Sequence, residues 1–300
     1  FGVSSHRAFN WRYYTFSEAF DTNDPDSHKL YGVPHPEDAP TSYEFILDWY
    51  ARTRDLVDRF SPDVLWFDFG WHRDEFEPWR PRVAAYYYNH ALAHGYEPVL
   101  QYKEKFPDGV AVLDIERGKL DAIRPDYWQT DTSVSYRSWG YIENDEFKTV
   151  TALVHDLVDI VSKNGNLLLN VPLMADGTLD KKAEQLLADI GEWLDLNGEA
   201  IYGTRPWKIA ADGDLRFTRK GKDLYAIALR WPGAGKQLTL AALKPADDGR
   251  KISEVTLLGH DGILTWTRNE NGLVITLPEN QPCEHACSFP QPRCALDHRK

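Results

Sequence analysis

No cysteine stands in the first 282 residues of this 300-residue chain; the three it has, Cys283, Cys287 and Cys294, all fall in the last eighteen. An odd and clustered count gives no disulfide framework. The spacing C-x3-C-x6-C lacks the tight paired ligands of a zinc site, so no metal is expected and residues 285–300 read as an irregular tail. No apolar run reaches the roughly 18 residues that would cross a bilayer. Positive charge is also short, with 34 Lys plus Arg against 46 Asp plus Glu, a net charge of -12 and a pI near 5.3. A nucleic-acid surface needs clustered cations to neutralise phosphates, so no nucleic-acid partner is expected and a neutral substrate suits the chain better. Catalytic patterns are missing too. There is no G-x-S-x-G elbow, no G-x-G-x-x-G and no P-loop, and His90 with His94 lacks the neighbouring Glu of a metalloprotease helix. No cofactor is expected, and carbohydrate chemistry is the class these absences leave.

What the chain does have is aromatic surface: eleven Trp, fifteen Tyr and thirteen Phe. Most such rings build core, because each buries a large area; the minority stack on the C–H faces of sugars. The sequence opens on FGVSS, a pattern for a buried strand with neither a leader peptide nor a capped helix ahead of it, which raises the expectation of further chain upstream. Apolar runs then alternate with amphipathic helical stretches, the mark of βα units on a parallel sheet. Strands are expected near residues 1, 64, 98, 127 and 166, the last (NLLLNV) buried on both faces. Helices are expected from a Thr41/Glu44 capping box to Phe60, over Pro81–His94 to a Gly95 stop, over 146–163, and over 180–198. A polar loop fills 21–40. Five strands fall short of the eight or so of a closed barrel. Beyond about residue 207 the period shortens to two, with Lys-Gly, Pro-Gly and Asn-Gly turn signals, which argues for an antiparallel sandwich. The expected fold is thus an incomplete (β/α)8-type barrel over 1–207, a β-sandwich over 208–284 and the tail.

In parallel barrels, chemistry sits where strands end and loops begin. The run VLWF (64–67) leads directly into Asp68, flanked by Trp66 and Trp71. Such an Asp is as often a turn former or helix cap as a reactive group. Glycosidic bonds need two carboxylates, so a partner is sought among Asp114 and Glu116 in AVLDIERG, Asp131 in WQTDTS and Glu143 in GYIEND. For Glu116 the competing reading is a surface ion pair with Arg117 or Lys119.

The string SPDVLWFDFGW (61–71) is similar to the nucleophile segment of the glycoside hydrolase family of α-L-fucosidases, family 29. SKNGNLLLNVPLMADGTL (162–179) with GEWLDLNGEAIYGTRPW (191–207) resembles that family's last barrel strand, last helix and exit to its sandwich domain. FGVSSHRAFNW, QYK, DIERG and WGYIEND follow in the expected order, so the resemblance covers about residues 1–280. It implies retaining hydrolysis of terminal α-L-fucosides through a covalent fucosyl-enzyme, on a fucosylated oligosaccharide or glycoconjugate. It places the nucleophile at Asp68, the acid/base at Glu116, and sugar contacts at His6, Trp66, Trp71, Lys103 and Trp139. Fucose needs polar groups for three hydroxyls and an apolar wall for its methyl, a mixture these residues supply. Three earlier barrel strands of the family, one with a His-His pair, have no counterpart in this sequence. A homo-oligomer covering the open sheet edge is therefore expected. The alternatives are a catalytically weak or inactive fragment serving as a sugar-binding module, and a hydrolase of the same scaffold acting on another sugar.

Overall fold

The computed structural model describes residues 2–3, 40–68, 70–245 and 251–291. They fall into two compact units, Phe1–Asp114 and Ile115–Lys300. The expected loop at 21–40 and His6, expected as a sugar contact, lie, save Pro40, outside the described residues.

In the first unit β1 (Gly2–Val3) pairs in parallel with β2 (Val64–Phe67), β2 with β3 (Val99–Tyr102), and β3 with the start of β4 (Val112–Glu116). Helix α1 (Tyr43–Phe60) precedes β2, and α2 (Arg80–His94) connects β2 to β3. The cap of α1 is Ser42, whose hydroxyl accepts from the Phe45 amide at 3.1 Å; Thr41, the expected cap, instead donates its own amide to Glu75 at 2.7 Å. Gly95 ends α2 at φ +74°, the left-handed region that a side chain resists. Ile46, Trp49 and Val57 of α1 pack with Leu65, Phe67, Trp71, Phe76, Val83 and Tyr87 in one buried cluster. Each such side chain contributes about 1.5–3 kcal/mol by leaving water.

β4 is one strand more than the sequence reading counts. Its central Asp114 disguised it, because a carboxylate on the buried face breaks the apolar pattern. Asp114 is tolerated there because the Trp66 indole donates to it at 2.7 Å.

The second unit begins with the end of β4. There β5 (Trp128–Ser133) pairs in parallel with β6 (Gly165–Asn170) along its whole length, linked by helix α3 (Val150–Ser162), which Thr149 caps. All six residues of β5 are buried, although five of them are polar. β6, expected to be buried on both faces, is not: Leu168 is 48% exposed. Its ladder runs to β5 alone among the described strands. Helix α4 (Lys181–Asn197), capped by Asp180, closes the parallel part. No described helix is long and apolar enough to cross a membrane.

From Arg205 the ladders become antiparallel. One sheet has the order β13-β9-β8-β7, from β7 (Arg205–Asp212), β8 (Leu215–Lys220), β9 (Asp223–Ala228) and β13 (Cys287–Gln291). The other runs β10-β12-β11, from β10 (Gln237–Leu240), β11 (Trp266–Asn269) and β12 (Gly272–Thr276). Phe217, Leu224, Ala226 and Phe289 from the first meet Leu240, Leu273 and Ile275 from the second in one buried cluster, which makes a sandwich. Two expectations change here. Residues 287–291, read as irregular tail, are a fully buried strand on β9. ISEVTLLG (252–259), within the stretch where a period of two argues for strands, stays irregular but lends the amides of Thr256 and Leu258 to Pro290 and Ser288. The architecture is an incomplete parallel (β/α) barrel followed by an antiparallel β-sandwich.

Candidate active site

Register builds the site of the first unit. Phe67, Tyr102 and Leu113 are aligned across β2, β3 and β4, so the next residues in each strand, Asp68, Lys103 and Asp114, share one row at the C-terminal ends. Alternation along a strand puts Trp66 on the same face as Asp68. The side chains confirm that row. Lys103, 3% exposed, brings Nζ to 3.4 Å from Asp68 Oδ1 and 4.8 Å from the centre of the Trp66 ring. Asp114, equally buried, accepts from Trp66 Nε1 and fixes the plane of the indole. Asp68 itself keeps 29% of its side chain accessible. A half-open carboxylate, a buried ammonium and an anchored indole face thus converge, a combination suited to a small polyhydroxylated ligand with one apolar side.

Trp71 takes no part in that row. It is fully buried, with its ring stacked between Phe67 (centroids 4.2 Å apart) and Phe106 (5.2 Å). Both faces are occupied, so it builds core and offers no wall to a sugar. Beside it the His72 ring contacts the Glu104 carboxylate, which also accepts from the Gly70 amide at 3.3 Å. That pair was not legible as a unit, since its members lie on separate loops.

Glu116, the last residue of β4, is half-buried and lies in the second unit. Lys119 contacts Asp156, and Arg117 donates to the carbonyls of Ser135, Tyr136 and Ser138, each at 3.1 Å. Arg117 stands at φ +50°. Its guanidinium lies 4.3 Å from the Trp139 ring centre, while Asn170 Nδ2 donates to the Trp139 carbonyl at 2.9 Å. Arg117 therefore organises the loop that carries Trp139, a role sequence missed because its acceptors are backbone atoms. Asp131 is buried within β5 and Glu143 is exposed on a loop. Among the described residues no group of three His, Cys, Asp or Glu could hold a metal ion.

A family model described as alpha-L-fucosidase matches residues 1–199, and one described as the alpha-L-fucosidase C-terminal domain matches residues 210–290. The chain belongs to the α-L-fucosidase family. The tissue α-L-fucosidase of Bos taurus is 31% identical over 284 residues, covering 87% of this chain and 57% of that protein. The plasma α-L-fucosidase of Homo sapiens is 32% identical over 251 residues, covering 77% and 52%. Among solved structures, the α-fucosidase of Thermotoga maritima in complex with a mechanism-based inhibitor superposes with a TM-score of 0.73 at 27% identity, over 97% of this chain and 64% of that one. The chain thus spans a little over half the length of the curated relatives it matches. Within this α-L-fucosidase family member, the described row of Trp66, Asp68, Lys103 and Asp114 is the constellation from which a function is argued.

Proposed function

We propose that the chain hydrolyses terminal α-L-fucosides of oligosaccharides or glycoconjugates with retention of configuration, through a covalent fucosyl-enzyme on Asp68. The observation that carries this reading is Asp68 at the end of β2, accessible, beside buried Lys103 and the anchored Trp66 ring. In the first step the Asp68 carboxylate attacks the anomeric carbon, the bond to the leaving oxygen breaks, and Glu116 gives that oxygen its proton. In the second, Glu116 as carboxylate takes a proton from water, whose oxygen displaces Asp68 and frees the sugar. Retention asks for carboxyl groups about 5 Å apart. Lys103 and His6 donate to sugar hydroxyls, and Trp66 with Trp139 faces the apolar side of the ring. No metal or cofactor enters these steps. We also propose a domain boundary near residue 207, and self-association that covers the sheet edge at β1.

Trapping tests the nucleophile. Incubation with a 2-fluoro-fucosyl fluoride should leave one sugar on the peptide bearing Asp68, and Asp68→Asn should abolish both labelling and release of p-nitrophenol from its α-L-fucoside. A label on another residue overturns the assignment. Glu116→Ala should spare the aryl fucoside relative to a natural linkage, because a good leaving group needs little protonation; equal loss on both moves the acid/base elsewhere. A second reading is a sugar-binding module. Saturable fucose binding without turnover, together with a monomeric mass by light scattering, would select it.

A further inference from the structure

The approach to β13 holds a feature that glycoside hydrolysis does not use. Cys283, half-buried, and Cys287, buried, bring their Sγ atoms to 2.6 Å, about 0.6 Å longer than a bonded S–S pair. The turn between them is held from outside itself. Trp193 Nε1 of α4 donates to the Ala286 carbonyl at 2.8 Å, His155 Nε2 of α3 meets the His285 carbonyl at 3.0 Å, and Thr151 Oγ1 meets His285 Nδ1 at 2.8 Å. Inside the turn His285 sits at φ +63°, Cys283 Sγ lies 3.2 Å from the Ala286 carbonyl, and Cys287 Sγ lies 3.3 Å from the Cys283 carbonyl. The two sulfurs are therefore pressed together by packing contacts, and little backbone motion separates them from a bond.

We propose that Cys283 and Cys287 form a reversible disulfide that locks the turn joining the last sandwich strand to helices α3 and α4. Cys283 is the reactive member. It lines a surface groove with Trp193, Leu196, Pro282 and His285, open to a small reagent, whereas Cys287 is 1% exposed. The Cys287 thiol donating to Cys283 outweighs burial and, with a hydrogen bond from Asn197, holds Cys283 below the ordinary thiol value; the same contact and burial push Cys287 up. The thiolate nucleophile thus falls on the accessible sulfur. With a low-molecular-weight disulfide such as oxidised glutathione as oxidant, the Cys283 thiolate attacks one of its sulfurs and expels a glutathione thiolate. Cys287, losing its proton, then displaces the second glutathione from the mixed disulfide. Two protein thiols become one disulfide, and one oxidised glutathione becomes two thiols.

The test uses the full chain equilibrated with glutathione at several ratios, quenched with acid, unfolded and alkylated. Trypsin releases residues 269–293, which carry both Cys283 and Cys287, apart from the fragment 294–299 that carries Cys294. Oxidised glutathione should leave peptide 269–293 lacking two hydrogens and unalkylated while Cys294 stays alkylated; dithiothreitol should restore two alkylations. Cys294→Ser should retain the bond and Cys283→Ser should lose it. Bond formation should also raise Tm by a few degrees, an increase absent from Cys283→Ser. Two alkylations of 269–293 at every ratio, or a bond running to Cys294, overturns the proposal.

Discussion

Asp159 is the residue whose replacement should show most directly what binds the barrel helices to the sandwich in the second unit. It lies on α3, 6% exposed, and accepts from Lys163 Nζ at 2.7 Å and from Arg216 Nε at 2.6 Å, the latter projecting from β8. Burial by itself would push its carboxyl up, but the hydrogen bonds from Lys163 and Arg216 outweigh it and hold the group below the usual carboxylate value. Asp159→Asn keeps the shape, yet its amide oxygen serves one cation while its amide hydrogens face the other. One charge-assisted bond, worth about 1.5–3 kcal/mol, disappears, and a little-exposed cation loses its counter-charge, which brings the expected loss to about 2–4 kcal/mol. Urea unfolding should show this as a lower midpoint with an unchanged slope. The sign with pH follows from the depressed carboxyl. Its contribution is complete above the unfolded value of about 3.9 and disappears as pH falls through the lower, folded value. The stability gap between wild type and Asp159→Asn should therefore be constant from about pH 5 upward and narrow below about pH 4. A gap of the same size at pH 7 and pH 3 would show that packing, not charge, holds this joint, and would refute the reasoning.

Two further outcomes follow from close contacts. A Cβ at Gly165 would stand 2.5 Å from the Trp128 ring and 2.7 Å from Ile160 Cγ2, and Trp128 is pinned by its hydrogen bond to the Lys163 carbonyl at 3.0 Å. Gly165→Ala should cost about 1–3 kcal/mol in chemical denaturation, and no loss would mean that this packing yields freely. Trp66→Phe keeps an aromatic face but removes the donor to buried Asp114. It should lower kcat/KM for an aryl α-L-fucoside about tenfold, equivalent to about 1.4 kcal/mol, and an unchanged value would remove the indole from the sugar site.

Much of this was readable from local chemistry. Helices α1 to α4 appear where their apolar spacing and caps place them, within a few residues. The change from alternating βα units to period two near residue 207 falls just after the point where the ladders become antiparallel. Asp68 was visible because a strand of four apolar residues ends on it, and local sequence reports that directly. Other features depend on partners distant in the chain. The strand expected near residue 127 is WQTDTS, mostly polar yet buried throughout, and Asp114 broke the pattern of β4 because its donor is 48 residues away. Trp71 reads like Trp66, but only three-dimensional packing shows Phe67 and Phe106 closing both of its faces. By itself the sequence determined the fold class and the family, and it singled out the strand end at Asp68, because those rest on periodicity and on runs of neighbouring residues. Only the tertiary structure decided which aromatic faces stay open, which cation stands beside Asp68, and that Cys283 and Cys287 meet, because each of those follows from register and packing between separate segments.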